Sequence, residues 1–136
     1  MGKTLSNLRK TASRRAAMPV LTVSQIAKRW RLSSDTVRLI LTCHDQPKAS
    51  GPWRHPRYAF VDILRLEGVQ GERLTRYEDF PDLTEPLMTA AEVAEIFKCV
   101  PATIRNYAAQ DLTPSIRLGG SIRFRRSEVR GLNDAD

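Results

Sequence analysis

The chain has 136 residues, with 22 Lys and Arg against 15 Asp and Glu, a formal net charge of +7 and a pI of about 10.0. Its 41% hydrophobic content is ordinary for a soluble globular protein, and no apolar run approaches the ~20 residues of a membrane-spanning helix. The basic excess favours an acidic partner such as nucleic acid. Cys43 and Cys99 have no CxxC spacing and are read as reduced thiols of a cytoplasmic, nucleoid-associated protein. They form no recognised metal-ligand spacing with His44 and His55.

Residues 1–19 carry five cations and no anion, the composition of a disordered basic arm. Thr22 and Gln25 then form a capping-box pattern, with Ile26, Ala27 and Trp30 as the apolar stripe of a first helix. Ser33 is the expected N-cap of a second helix, which buries Val37, Ile40 and Leu41 and turns Asp35, Thr36, Arg38, Leu39 and Thr42 outward. Pro52 and Pro56 fit a regular ladder badly, and order is expected to return near Arg57 and Tyr58. These residues, 20–67, are read as one small domain. Residues 68–86 carry two cations and five anions and are read as a flexible acidic linker.

From residue 87 the pattern repeats at an offset of 67. Thr22, Ala27, Thr36 and Arg38 have Thr89, Ala94, Thr103 and Arg105 as identical counterparts, and Ile26, Trp30 and Val37 match Val93, Phe97 and Ile104. Thr89 and Glu92 supply a second capping box, and Pro101 takes the first helical position of the following helix. That helix is expected to bury Ile104, Tyr107 and Ala108, and Ser127 to cap a last helix through Val129 and Leu132. Residues 87–136 are thus the second domain.

Between the last two helices of this domain, IRLGGSIRFRR (residues 116–126) alternates apolar Ile116, Leu118, Ile122 and Phe124 with Arg117, Ser121, Arg123 and Arg125. A three-residue turn over residues 119–121 would pair 118 with 122, 117 with 123 and 116 with 124, making one face wholly apolar. Arg117 would then oppose Arg123, with Arg125 two residues along, a like-charge arrangement that expects a polyanion above it.

Helix, turn, helix, two-stranded wing and helix make a winged-helix order, so the fold class is mainly α with small β-hairpin wings, as two tandem helix-turn-helix domains. LMTAAEVAEIFKCVPATIRNY followed by IRLGGSIRFRRSEV resembles the excisionase and MerR-like group of winged-helix DNA-binding domains; residues 20–67 resemble it more loosely. The resemblance implies a second helix in the major groove and a wing on backbone or minor groove. Mapped onto these positions, DNA contact falls to Thr103, Arg105, Asn106, Arg117, Ser121, Arg123 and Arg125, and to Ser34, Thr36, Arg38, Arg54 and Arg57 in the first copy. Val100 departs from the usual polar cap, and no long coiled-coil helix or effector domain follows residue 132.

The expected function is sequence-specific binding of double-stranded DNA by a transcription regulator reading a bipartite site. An excisionase-type factor that bends DNA and recruits an integrase is the alternative, and a protein-binding adaptor the third reading. RNA polymerase or an integrase would be the protein partner, and self-association on DNA is open. No cofactor is implied. Nothing in the sequence pairs a nucleophile with a base, so a non-enzyme is expected.

Overall fold

A computed structural model describes residues 19–134. The expected basic arm, apart from Pro19, lies outside them. In the first half, strand β1 (Val20–Thr22) leads into helix α1 (Val23–Trp30) and helix α2 (Ser34–Cys43); strand β2 (Arg57–Ala59) pairs antiparallel with β1, and helix α3 (Phe60–Leu66) follows. Helix α4 (Glu72–Thr75) and two short 3-10 turns, Tyr77–Asp79 and Pro81–Thr84, lead to the second half. There helix α5 (Ala90–Phe97) and helix α6 (Pro101–Ala109) precede the hairpin of β3 (Ile116–Leu118) and β4 (Ser121–Arg123), and helix α7 (Arg126–Asp134) ends the described chain.

Local chemistry sets the helix starts. Both capping boxes are closed: Thr22 N donates to Gln25 Oε1 at 2.9 Å and Gln25 N to Thr22 Oγ1 at 3.2 Å, while Thr89 N and Glu92 N make the same exchange at 3.0 and 3.2 Å. Ser33 caps α2 through Thr36 N at 3.2 Å; Val100, at the start of α6, offers no side-chain cap. The helix ends correspond as well. Arg31 and Lys98 close α1 and α5 in the left-handed region at φ 58° and 55°, and Asp45 and Asp111, past α2 and α6, sit at 48° and 57°. Leu21 pairs with Tyr58 as Met88 bridges Phe124.

Three apolar clusters fill the interior. One joins Ile26, Trp30, Val37 and Ile40 of the first half to Leu87, Ile116 and Leu118 of the second. Another holds Val93, Ala94, Ile104, Phe124 and Val129, with Ile122 packed against it. The third places Tyr77 and Leu83 against Phe60 and Leu64. Residues 68–86 are therefore a folded strap and not a flexible tether: burying Tyr77 and Leu83 offsets the entropy that the acidic composition leaves unopposed.

The hairpin register also differs from expectation. Leu118 pairs with Ser121, Arg117 with Ile122 and Ile116 with Arg123, so the turn has two residues, Gly119 and Gly120. Gly119 takes φ 64° at the first central position, where glycine is favoured. Arg117 does not oppose Arg123, and neither face is wholly apolar. The physical reason is that each face has its own core: Ile116 and Leu118 turn toward the first half, Ile122 and Phe124 toward the second. Two further expectations are corrected. Tyr107 is 45% exposed, and Ser127 lies inside α7, its hydroxyl donating to Asp82 Oδ2 at 2.8 Å instead of capping the helix.

A buried ionic lock joins the halves. Glu67 accepts from Arg29 Nε at 2.6 Å and Nη2 at 2.8 Å, from Trp30 Nε1 at 2.7 Å, and from Arg125 Nη2 at 2.9 Å. Burial alone would raise the Glu67 carboxyl pKa, but the hydrogen bond and charge of Arg29, then the charge of Arg125 and the Trp30 bond, outweigh it and hold the group below the usual carboxylate range. Arg29 also donates to the Glu85 carbonyl at 3.3 Å, tying the strap to the lock.

Candidate nucleic-acid interface

In the second half, a cleft of about 450 Å³ lies between the N-terminus of α5, the Arg105 side of α6 and the wing. Thr89, Ala90 and Ala91 line one wall; Arg105, Arg117 and Ser121 line the others. The capping box consumes the amides of Thr89 and Glu92, and Val93 N is already bonded to the Thr89 carbonyl. The N–H groups of Ala90 and Ala91 are left as first-turn donors without an intrahelical partner. Arg105 and Arg117 are exposed, and among the described residues neither is held in an ion pair. Two free guanidinium groups beside a helix N-terminus suit a phosphate oxyanion. Thr103 is half-buried and Asn106 exposed on the same helix as Arg105.

Of the expected wing contacts, Arg125 is buried, and Arg123 lines the cleft but has its guanidinium bonded to backbone carbonyls. Arg125 is 4% exposed and belongs to the Glu67 lock, so it cannot meet DNA from that position. Arg123 donates Nε to the Trp30 carbonyl at 2.8 Å and Nη2 to the Arg31 carbonyl at 2.7 Å, capping the C-terminus of α1. Burial, then the neighbouring charge of Arg31, lowers its pKa against the opposing pull of Glu92. Arg117 therefore has no arginine opposite it on the wing, and it lines the same cleft as Arg105.

The first half presents a weaker version of this surface. Arg38, the counterpart of Arg105, is exposed but paired with Asp35 at 3.1 Å. The Thr36 hydroxyl lies 2.8 Å from Ser33 Oγ, and Ser34 is half-buried in the first turn. No regular hairpin forms over residues 44–56; a single bond, Ala49 N to the Arg57 carbonyl at 2.8 Å, marks where the wing of the other half pairs Ile116 with Arg123. Arg54 is exposed in this loop, and the Arg57 guanidinium sits over the Trp53 ring, 5.4 Å from its centroid.

Sequence reasoning missed the α5 amides as part of the site and the use of Arg123 and Arg125 in packing. The capping box was the available signal for the first, since it shows which first-turn donors remain. For the second, no local signal exists: Arg125 and Glu67 are 58 residues apart.

Residues 87–131, about a third of the chain, match the family model described as a helix-turn-helix domain. No curated protein and no solved structure matches the chain. Among the described residues, no helix is long and apolar enough to cross a membrane. Residues 87–131 thus combine the match to a helix-turn-helix domain with the α5–α6 pair and its cationic cleft, which supports a DNA-binding role for this region.

Proposed function

We propose that the chain is a sequence-specific reader of double-stranded DNA, acting as a transcription regulator through two copies of one winged helix-turn-helix unit. The observation that carries this reading is the cleft beside α6 that Arg105, Arg117 and the first turn of α5, Ala90 and Ala91, line together. The shared capping boxes, left-handed helix ends and strand pairings support the tandem reading. The second helices differ, with Asp35 and Leu39 where Ala102 and Asn106 stand. Asn can pair bidentately with adenine, whereas Leu offers only apolar contact to a thymine methyl, so the two half-sites are unlike. Because the strap is folded and Glu67 binds residues of both halves, the half-sites keep one spacing. No catalytic step belongs to this reading.

Selection of bound duplexes from a random library tests it. A two-part motif of fixed spacing is the expected result, and Arg105→Ala should cost about 1–3 kcal/mol with relaxed preference at one base pair. With six to eight phosphates neutralised, affinity should fall about 10³- to 10⁵-fold between 50 and 200 mM salt. A perfect repeat, or a motif with freely variable spacing, would overturn the bipartite reading. Genomic sites at promoters favour regulation, whereas attachment sites beside an integrase gene would favour the excisionase role.

A further inference from the structure

We infer that the open face of the second half, between α5, α6 and α7, is a docking surface for a partner protein's β-hairpin carrying two alternating aliphatic side chains, a tight glycine turn and an arginine. The template is inside the molecule. In the first half the equivalent face bears Trp30 and Ile40, which share one core with Ile116 and Leu118 of β3. A Cβ on Gly119 would lie 3.4 Å from Ile40 Cγ1, so the turn rests directly on α2. Arg123 completes the seat by donating to the Trp30 and Arg31 carbonyls. Under this cover Ile40 is 5% exposed and Trp30 fully buried.

Sixty-seven positions on, the same face has no hairpin over it among the described residues and is partly open. Phe97 stands for Trp30, Tyr107 for Ile40 and Lys98 for Arg31. Phe97 and Tyr107 line an apolar groove of about 320 Å³ with Val93, Ile104 and Leu132. Ile96, Val100 and Leu112 are also exposed in this half, leaving Leu39 as the one large exposed hydrophobic of the first half among the described residues. Lys98 repeats the left-handed helix end of Arg31, and among the described residues no side chain donates to the Phe97 or Lys98 carbonyl. Both halves of the seat, apolar and polar, are therefore present without the hairpin that fills them in the first half.

The chain cannot fill this seat with its own wing, because β3–β4 is already committed to the first half. A second copy has the same commitment, and its loop over residues 44–56 offers no aliphatic pair on a ladder. The occupant is thus a hairpin from a different protein, docked edge-on against α5 and α6, and buried apolar anchors should dominate the binding.

A backbone-cyclised peptide with the sequence of residues 114–125, its closed hairpin verified by NMR, is the probe. Titrated into the isotope-labelled full chain, it should shift the signals of Phe97, Tyr107 and Leu132 saturably and leave those of Trp30 and Ile40 in place. Tyr107→Asp should weaken docking about tenfold or more, and Leu132→Asn serves if that variant does not fold. Replacing the Ile116 and Leu118 equivalents of the peptide by serine should abolish the shifts. Three results would overturn the inference: a folded peptide that moves nothing at millimolar concentration, shifts confined to the first half, or self-association of the chain that covers the same residues without peptide. The inference rests on the correspondence of the halves and not on DNA binding. Duplex binding measured on the same sample therefore separates its failure from failure of the proposed function.

Discussion

The first and second halves use the same local rules and end in different surroundings. Each opens with a closed capping box, turns through a left-handed cation and runs into a second helix. Yet the face carrying Trp30 and Ile40 is interior, while the face carrying Phe97 and Tyr107 is partly open. At the next position back, Arg29 is 6% exposed and paired to Glu67, whereas its counterpart Ile96 is 42% exposed. Charge is thus buried where the halves meet, and an aliphatic side chain faces outward where they do not. The lesson is that burial of a helix stripe is decided by its neighbour even where the local pattern is the same, and the hairpin of one half is the neighbour of the other.

The comparison can be broken most severely at Glu67. Glu67→Ala would leave Arg29 and Arg125 without their carboxylate, and about 3–5 kcal/mol of stability should be lost, read as a drop in the denaturant midpoint. Removing Arg125 should cost less, since its Nη1 already lacks a hydrogen-bond partner among the described residues. Next come the paired positions of the second helices. Ile40→Ala should cost about 2–5 kcal/mol as a core truncation, whereas Tyr107→Ala should cost about 1 kcal/mol or less; equal losses would show that the two faces are not differently covered.

Acid offers a graded form of the first experiment. The Glu67 pKa is depressed in the folded chain, so its contribution is complete above the unfolded value near 4.5 and is lost as pH falls through the lower folded value. Stability measured from pH 6 downward should therefore decline below about 4.5, and the decline should be smaller in Glu67→Gln. The smallest effects belong to the caps: Thr22→Ala and Thr89→Ala should each cost about 1 kcal/mol, and closely similar losses would sharpen the correspondence between the halves.

Much of the local structure was legible because its causes are local. Thr22 with Gln25, Ser33 with Thr36, and Thr89 with Glu92 act within one helical turn, and Pro52 and Pro56 marked the loop that interrupts the first wing. The outward placement of Arg105 was legible in the same way, from the apolar spacing of its helix. Arg123 and Arg125 were not. Their alternation along β4 is the same whether they face solvent, a carbonyl or a buried carboxylate.

The amino-acid sequence by itself determined where the capped helices at Thr22, Ser33 and Thr89 start, that the wing turns near Gly119, and that one apolar pattern recurs at an offset of 67, because capping, glycine torsion and apolar spacing operate over a few residues. Only the tertiary structure decided the hairpin register, the folding of the acidic strap and the burial of Glu67. A strand with alternating side chains accepts either parity, and one residue in the turn exchanges its faces. That choice follows from having an apolar core on each side of the hairpin, and from a carboxylate whose partners lie 38 and 58 residues away.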